Sequence, residues 1–284
     1  MSAITIAGTA ADFASGKGHT DENFPVASRL VAARYRAPIM AFYSFARLAD
    51  DIADHVTASA DQKLARLEAM RAGIVGTSDA EPSAVALRIV MAERNLDPVH
   101  ALDLLEAFRR DCTVNRYAHW DDLIDYCRYS AMPVGRFVLD VHGEDRALWP
   151  ANDALCAALQ VINHLQDCAK DYREIDRVYL PQDLLAATGA RTEDLARPGA
   201  PPALRQVIAA CAERCQQLLA EAAPFARGIA DRRLGIEVAV IQRLAVSLAT
   251  RLRRRDPLAE RVHHRKSEAL LLASGAALGR LVAR

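Results

Sequence analysis

An all-α bundle with a pocket between its helices is the fold this sequence predicts, and three observations predict it. Apolar residues recur at helical spacing in almost every segment, and nowhere in the strict alternation of a half-buried strand. Apolar residues make up 51% of a 284-residue chain, ample for a core. The breaks between segments carry proline, glycine or capping residues rather than hairpin turns, and there is no repeat and no low-complexity tract beyond the start of the chain.

Residues 1–20, rich in Ala, Gly and Thr, lack a basic stretch followed by an apolar one, so they read as a loose tail and not a signal peptide. Residues 21–284 read as a single all-α domain. Pro25 and Pro38 both suit the first turn of a helix, where a missing N–H costs little. Pro38 is expected to open a helix whose core face carries Ile39, Met40, Phe42 and Phe45. Ser59-Ala-Asp-Gln62 resembles a capping box and starts the next helix. Gly76 to Pro82 is a loop, and Asp97-Pro98 begins a further helix through Leu104 and Phe108. From Trp120 to Val141 the periodicity is helical, with a kink expected at Pro133 and Gly135. Asn152-Asp153 is read as the cap of the following helix. The broken stretch from Tyr172 to Pro181 is read as a mobile cover. Gly189 to Pro202 is a long loop, and two long helices follow from about Ala203 and Asp231, the first bent at Pro224. Arg251, Arg253, Arg254 and Arg255 suit the solvated C-terminal end of the second.

Composition narrows the function classes. Lys+Arg and Asp+Glu both number 36, so no net field favours nucleic acid. Six cysteines without a CxxC pair fit a reduced, cytoplasmic compartment, with Cys211 and Cys215 packing as small residues. No uncharged apolar run reaches the ~18 residues of a membrane span. The run from Ala269 to Val282 contains Arg280 and is either a core helix or an interfacial one, so peripheral contact at the inner face of a membrane stays open. No obligate protein partner is implied.

The chemistry lies in two polar stripes. In Arg47-Leu-Ala-Asp50-Asp51-Ile-Ala-Asp54, helical spacing puts Arg47, Asp50, Asp51 and Asp54 in one sector. Clustered carboxylates repel one another unless a cation joins them, and Mg²⁺ typically sits between one or two carboxylates and substrate phosphates. In Gln160-Val-Ile-Asn163-His-Leu-Gln-Asp167-Cys-Ala-Lys-Asp171, the same spacing aligns Gln160, Asn163, Asp167 and Asp171. One such stripe is common; two within one chain point to bound metal and the diphosphate it carries.

These two motifs resemble those of the squalene and phytoene synthase family. Tyr126-Cys127 before Val134-Gly135, and Arg177-Val-Tyr179-Leu-Pro181, match it as well. The resemblance is firm from Asn23 to Asp183 and weaker from Arg261 to Leu272. It implies an isoprenoid synthase-type bundle with a central pocket, acting on a prenyl diphosphate. Metal ligands would be Asp50, Asp51, Asp54, Asn163, Asp167 and Asp171, holding more than one Mg²⁺ ion. Arg47, Gln160, Arg265 and Lys266 would bind or orient the diphosphate, and the rings of Tyr43 and Tyr126 would face a carbocation.

Within the family, Asn23-Phe-Pro-Val-Ala-Ser28, Ser130-Ala-Met-Pro-Val-Gly-Arg136 and Leu165-Gln-Asp-Cys-Ala-Lys-Asp-Tyr-Arg173 are similar to the bacterial hydroxysqualene synthase branch of hopanoid synthesis. Condensing members usually carry Val-Ala-Gly where this chain has Ser130-Ala131-Met132. They often place Ser, His and Lys where it has Thr20-Asp-Glu-Asn23. The expectation is therefore Mg²⁺-dependent ionisation of presqualene diphosphate, rearrangement and capture by water, without a nicotinamide. The alternative is condensation of farnesyl diphosphate to presqualene diphosphate or squalene, or phytoene synthesis. A catalytically silent helical scaffold ranks lower. A di-iron bundle ranks lower too, because only Glu260-Arg-Val-His263 fits its Glu-x-x-His motif.

Overall fold

The computed structural model describes residues 31–282. The expectations for the N-terminal tail, Thr20 to Asn23, Pro25 and Ser28 lie outside the described residues. Those residues divide after Val114 into two compact units, both built from helices. Among the described residues the one β-type pairing is an isolated parallel bridge between Arg116 and Val178.

The first unit contains α1 (Ala33–Ala53), α2 (Ala60–Val75), α3 (Pro82–Glu93) and α4 (Val99–Asp111), with α1 against the other three and α2 against α3 and α4. Phe45, Ile52, Leu67, Met70, Leu87, Leu104 and Leu105 are its largest fully buried side chains. The Ser59 capping box opens α2: the Gln62 amide N–H donates to Ser59 Oγ, and the Ser59 N–H donates to Gln62 Oε1. Gly76 closes that helix at φ +82, a left-handed conformation that costs glycine little. The Asp97 carboxylate accepts from the Val99 N–H at the start of α4.

Pro38 does not open its helix. α1 begins at Ala33 and carries Pro38 in its interior, where a proline leaves the carbonyl four residues earlier without its helical donor. That carbonyl belongs to Arg34, and Arg94 at the end of α3 donates to it at 2.7 Å. A side chain 60 residues away thus supplies the donor that proline lacks.

The second unit is organised on α7 (Trp149–Ile175), a 27-residue helix packed by α5 (Trp120–Ser130), α6 (Met132–His142), α9 (Pro202–Glu221) and α11 (Arg232–Leu252). Between α8 (Gln182–Thr188), which the sequence reading missed, and α9 lies the expected loop, with one short 3-10 turn. Instead of kinking one helix, Pro133 sits in the first turn of α6 after a break at Ala131, where its missing N–H is tolerated. Gly135 lets α6 approach α7: a Cβ there would overlap the Asn152 amide and the Cys156 thiol. Asn152 and Asp153 accordingly do not cap α7, which starts at Trp149. Asn152 is buried and donates to the Met132 carbonyl, and Asp153 pairs with Arg136.

α9 does not bend at Pro224 but ends before it, at Glu221, and the four-residue α10 (Phe225–Gly228) follows. Asp231 caps α11 by accepting from the Arg233 and Leu234 N–H groups. The basic run at the end of α11 is a paired helix end: Arg251 meets Glu268, Arg253 meets Glu213 and Arg255 meets Glu260. A third long helix, α12 (Lys266–Val282), packs on α11. Cys211 and Cys215 are buried, and all six cysteines are free thiols.

Candidate active site

On α1, Arg47, Asp50 and Asp54 are half-buried along one side, and Tyr43 stands one turn before Arg47. Asp51 is turned inward, 8% exposed. Arg47 donates to Asp50 at 2.7 Å and to Asp51 at 2.5 Å, so the cation expected for phosphate is already shared by two neighbouring carboxylates. One guanidinium does not neutralise this group. Burial, then the charge of Asp54, drives the Asp50 carboxyl up to about 7 against the opposing pull of Arg47, and Asp111 and Asp51 add to the rise. A carboxylate destabilised by its like-charged neighbours is relieved by any added positive charge, and the oxygen donor set suits a hard divalent ion. The sequence reading missed Asp111: it lies at the end of α4, about sixty residues away, and no spacing rule links it to α1.

On α7, Gln160, Asn163, Asp167 and Asp171 form the half-open line of a helix whose other faces are buried between Asn152 and Ala169. The alternation of this line with Val161, Ile162, Leu165 and Cys168 makes the helix sit that way round, since burying the apolar faces leaves one polar stripe accessible. Gln160 approaches His164, with 3.1 Å between its Nε2 and the His164 Nε2. Gln166, buried on the adjacent face, donates to the Val262 carbonyl at 2.6 Å and lies 3.4 Å from His263 Nδ1. This fastens residues 262–263 onto α7, where Asp167 acts on the His263 ring. Arg265 and Lys266 follow as exposed residues at the start of α12.

Tyr126 is buried, its ring 5.4 Å from Tyr117, 5.8 Å from Tyr179 and 6.3 Å from His164. Tyr179 stacks on His164 at 3.3 Å and on Tyr117 at 5.7 Å. Arg177, also buried, donates to the Tyr179 hydroxyl. Burial, aided by the Arg177 charge, holds the His164 imidazole down at about 3, so it is neutral at physiological pH. The result is a cluster of four rings with one neutral histidine among them.

This cluster corrects the reading of Tyr172 to Pro181 as a mobile cover. α7 runs on to Ile175, Asp176 turns the chain at φ 50, and residues 177–181 are buried. The Val178 N–H donates to the Asn115 carbonyl and the Gln182 N–H to the Tyr117 carbonyl, both at 2.9 Å. Tyr179 was within a motif already singled out, but nothing local marks Tyr117 or His164 as its neighbours.

Among the described residues, no group of three or more His, Cys, Asp and Glu side chains forms a ready-made metal cage. Mg²⁺ held by one or two carboxylates and a phosphate needs no such cage. Glu260 is tied to Arg255, and His263 to Gln166, so the lone Glu-x-x-His motif has other partners.

Residues 17–268 match the squalene/phytoene synthase family. The chain is 60% identical to a hydroxysqualene synthase of Zymomonas mobilis, over 96% of this chain and 92% of that one. It is 52% identical to a hydroxysqualene synthase of Rhodopseudomonas palustris, over 97% and 94%. The crystal structure of squalene synthase HpnC from Alicyclobacillus acidocaldarius superposes with a TM-score of 0.73 at 32% identity, covering 86% of this chain and 92% of that one. A dehydrosqualene synthase at 20% identity shares the fold, with a TM-score of 0.79 over 95% of both chains. The all-α fold and these matches are those of an isoprenoid-type synthase, an enzyme of prenyl diphosphate chemistry. The chain belongs to the squalene/phytoene synthase family.

Proposed function

We propose that this enzyme converts presqualene diphosphate to hydroxysqualene and diphosphate, a carbon–oxygen lyase reaction with water as the second reactant. The observation that carries this reading is identity of 50–60% over nearly the whole chain to three proteins named hydroxysqualene synthase. The match to the family runs through both compact units, which supports reading residues 21–284 as one catalytic domain.

Asp50, Asp51 and Asp54 on α1 would hold Mg²⁺ through their oxygens, as would Asn163, Asp167 and Asp171 on α7. When bound, the metal stabilises the negative charge that develops on the departing diphosphate. Arg47 is already oriented by Asp50 and Asp51, and its guanidinium contributes a fixed positive charge to the same group. Gln160, steadied by His164, offers an amide for orientation, and Arg265 and Lys266 add exposed cations.

Loss of diphosphate leaves a cyclopropylcarbinyl cation that rearranges before water adds. The negative face of Tyr126 would provide for such a cation what aromatic faces provide for any positive centre, with Tyr117 and Tyr179 packed beside it, and Tyr43 has the same capacity. His164, kept neutral by burial and Arg177, adds no competing charge. Water attack forms the C–O bond of the alcohol and releases one proton, which the freed diphosphate can accept. No electron changes hands, so no nicotinamide enters. The six free thiols support a cytoplasmic setting, and the lipophilic product supports peripheral contact with a membrane.

Turnover of presqualene diphosphate in ¹⁸O-labelled water, without a nicotinamide, tests this. The expected result is label in the alcohol. Unlabelled alcohol, squalene formed only with a reduced nicotinamide, or presqualene diphosphate accumulating from farnesyl diphosphate would overturn it. The last outcome favours condensation.

A further inference from the structure

No helix among the described residues is long and apolar enough to cross a membrane, yet α12 carries an apolar face turned away from the protein. Leu270, Leu271 and Leu278 are 68%, 75% and 62% exposed. Every exposed position from 267 to 279 is Leu, Ser or Gly, spaced at three and four residues, so they form one stripe without a charge. Two of its charged side chains are tied back to the protein. Arg280 donates to the Ala226 and Ile229 carbonyls at the α10 end of the unit, and Glu268 pairs with Arg251 of α11. An amphipathic helix on a water-facing surface normally buries its leucines and solvates its charges. α12 leaves three of its leucines outside, and the inward hydrogen bonds of Arg280 hold it in that orientation.

We infer that α12 is a membrane-docking helix that lies in the interface of an anionic lipid surface, with its leucine stripe among the acyl chains. The occupant follows from charge as well as from apolarity. Arg261, Arg265 and Lys266 are exposed at the N-terminal end of the stripe, with no ion pair among the described residues. Exposed leucines with cations at one end, and with the intervening Glu268 paired to Arg251, are the pattern of an interfacial helix. A protein interface would be expected to show aromatic anchors in a pocket; this stripe has none and lies on a convex helix. The inference stands on the surface itself. The lipophilic product of the proposed reaction agrees with it but is not needed for it.

The test is flotation of the full chain, without substrate, on phosphatidylcholine vesicles with and without phosphatidylglycerol. Wild type is expected to float with the anionic vesicles and to detach from zwitterionic ones and at high salt. The triple variant Leu270→Ser, Leu271→Ser, Leu278→Ser should bind at least about tenfold more weakly. Its circular dichroism, melting temperature and diphosphate release from detergent-dispersed substrate should be unchanged. Wild type that stays in the aqueous fraction, or a triple variant that floats equally well, would overturn the inference. So would a dimer in analytical ultracentrifugation that the triple variant dissolves while vesicles bind neither protein; that outcome would assign the stripe to a second copy of the chain. Failure to turn over presqualene diphosphate would count against the proposed reaction and leave the flotation result standing.

Discussion

Replacing Asp50 with asparagine should make the metal-free protein more stable while removing its activity. The folded protein raises this carboxyl from 3.8 to about 7 through burial and the crowding of Asp54, Asp111 and Asp51. An acid whose folded pKa is raised loses folding stability as the pH climbs from its unfolded value through its folded value, and the loss is complete above about 7. A three-unit shift sets a ceiling of about 4 kcal/mol at 1.36 kcal/mol per unit. The Asp50 side chain is 35% exposed, and solvent screening together with the forfeited Arg47 pair reduces the expected gain to about 1–2 kcal/mol. Thermal melts of Asp50→Asn and wild type, both in excess chelator, should therefore differ at pH 8 by about 2–4 °C per kcal/mol. The difference should shrink steadily toward pH 4. Product formation with saturating Mg²⁺ should be absent in the variant at either pH. A variant less stable than wild type at pH 8, or a gain that persists at pH 4, would refute the account of Asp50 as a carboxylate held at a cost for metal.

Asp167→Ala should abolish diphosphate release, measured as inorganic phosphate after pyrophosphatase, with the helical circular dichroism signal intact; near-wild-type turnover would remove the α7 stripe from the proposed metal site. Chelation should silence wild type and readdition of Mg²⁺ should restore it, which separates metal loss from irreversible unfolding. Gly135→Ala should cost about 2–4 kcal/mol in urea denaturation, because its Cβ would overlap the Asn152 amide and the Cys156 thiol where α6 meets α7; a loss below about 0.5 kcal/mol would show that the contact relaxes freely.

The two polar stripes were legible because each is a local pattern: i, i+3 and i+4 spacing places residues on one helical face whatever the rest of the chain does. Ser59 with Gln62, and Asp97 before Val99, were legible for the same reason, since a cap satisfies backbone groups within its own turn. The free, buried thiols at Cys211 and Cys215 likewise follow from composition and spacing.

By itself, then, the sequence determined the helical class, the polar stripes and several helix starts, those of α2, α4, α5, α9 and α11, all of which depend on neighbours within about four residues. Tertiary structure decided what depends on partners far along the chain. It let Pro38 sit inside α1, because Arg94 reaches back to the Arg34 carbonyl. It moved the start of α7 to Trp149 and turned Asn152 into a buried tie to α6. It converted residues 177–181 from a cover into a wall by pinning them to residues 115–118, which brings Tyr117, Tyr126, Tyr179 and His164 together. It added Asp111 to the charges acting on Asp50. And it chose which side of α12 faces outward: Arg280 donates to two distant carbonyls on the inner side, which leaves Leu270, Leu271 and Leu278 exposed.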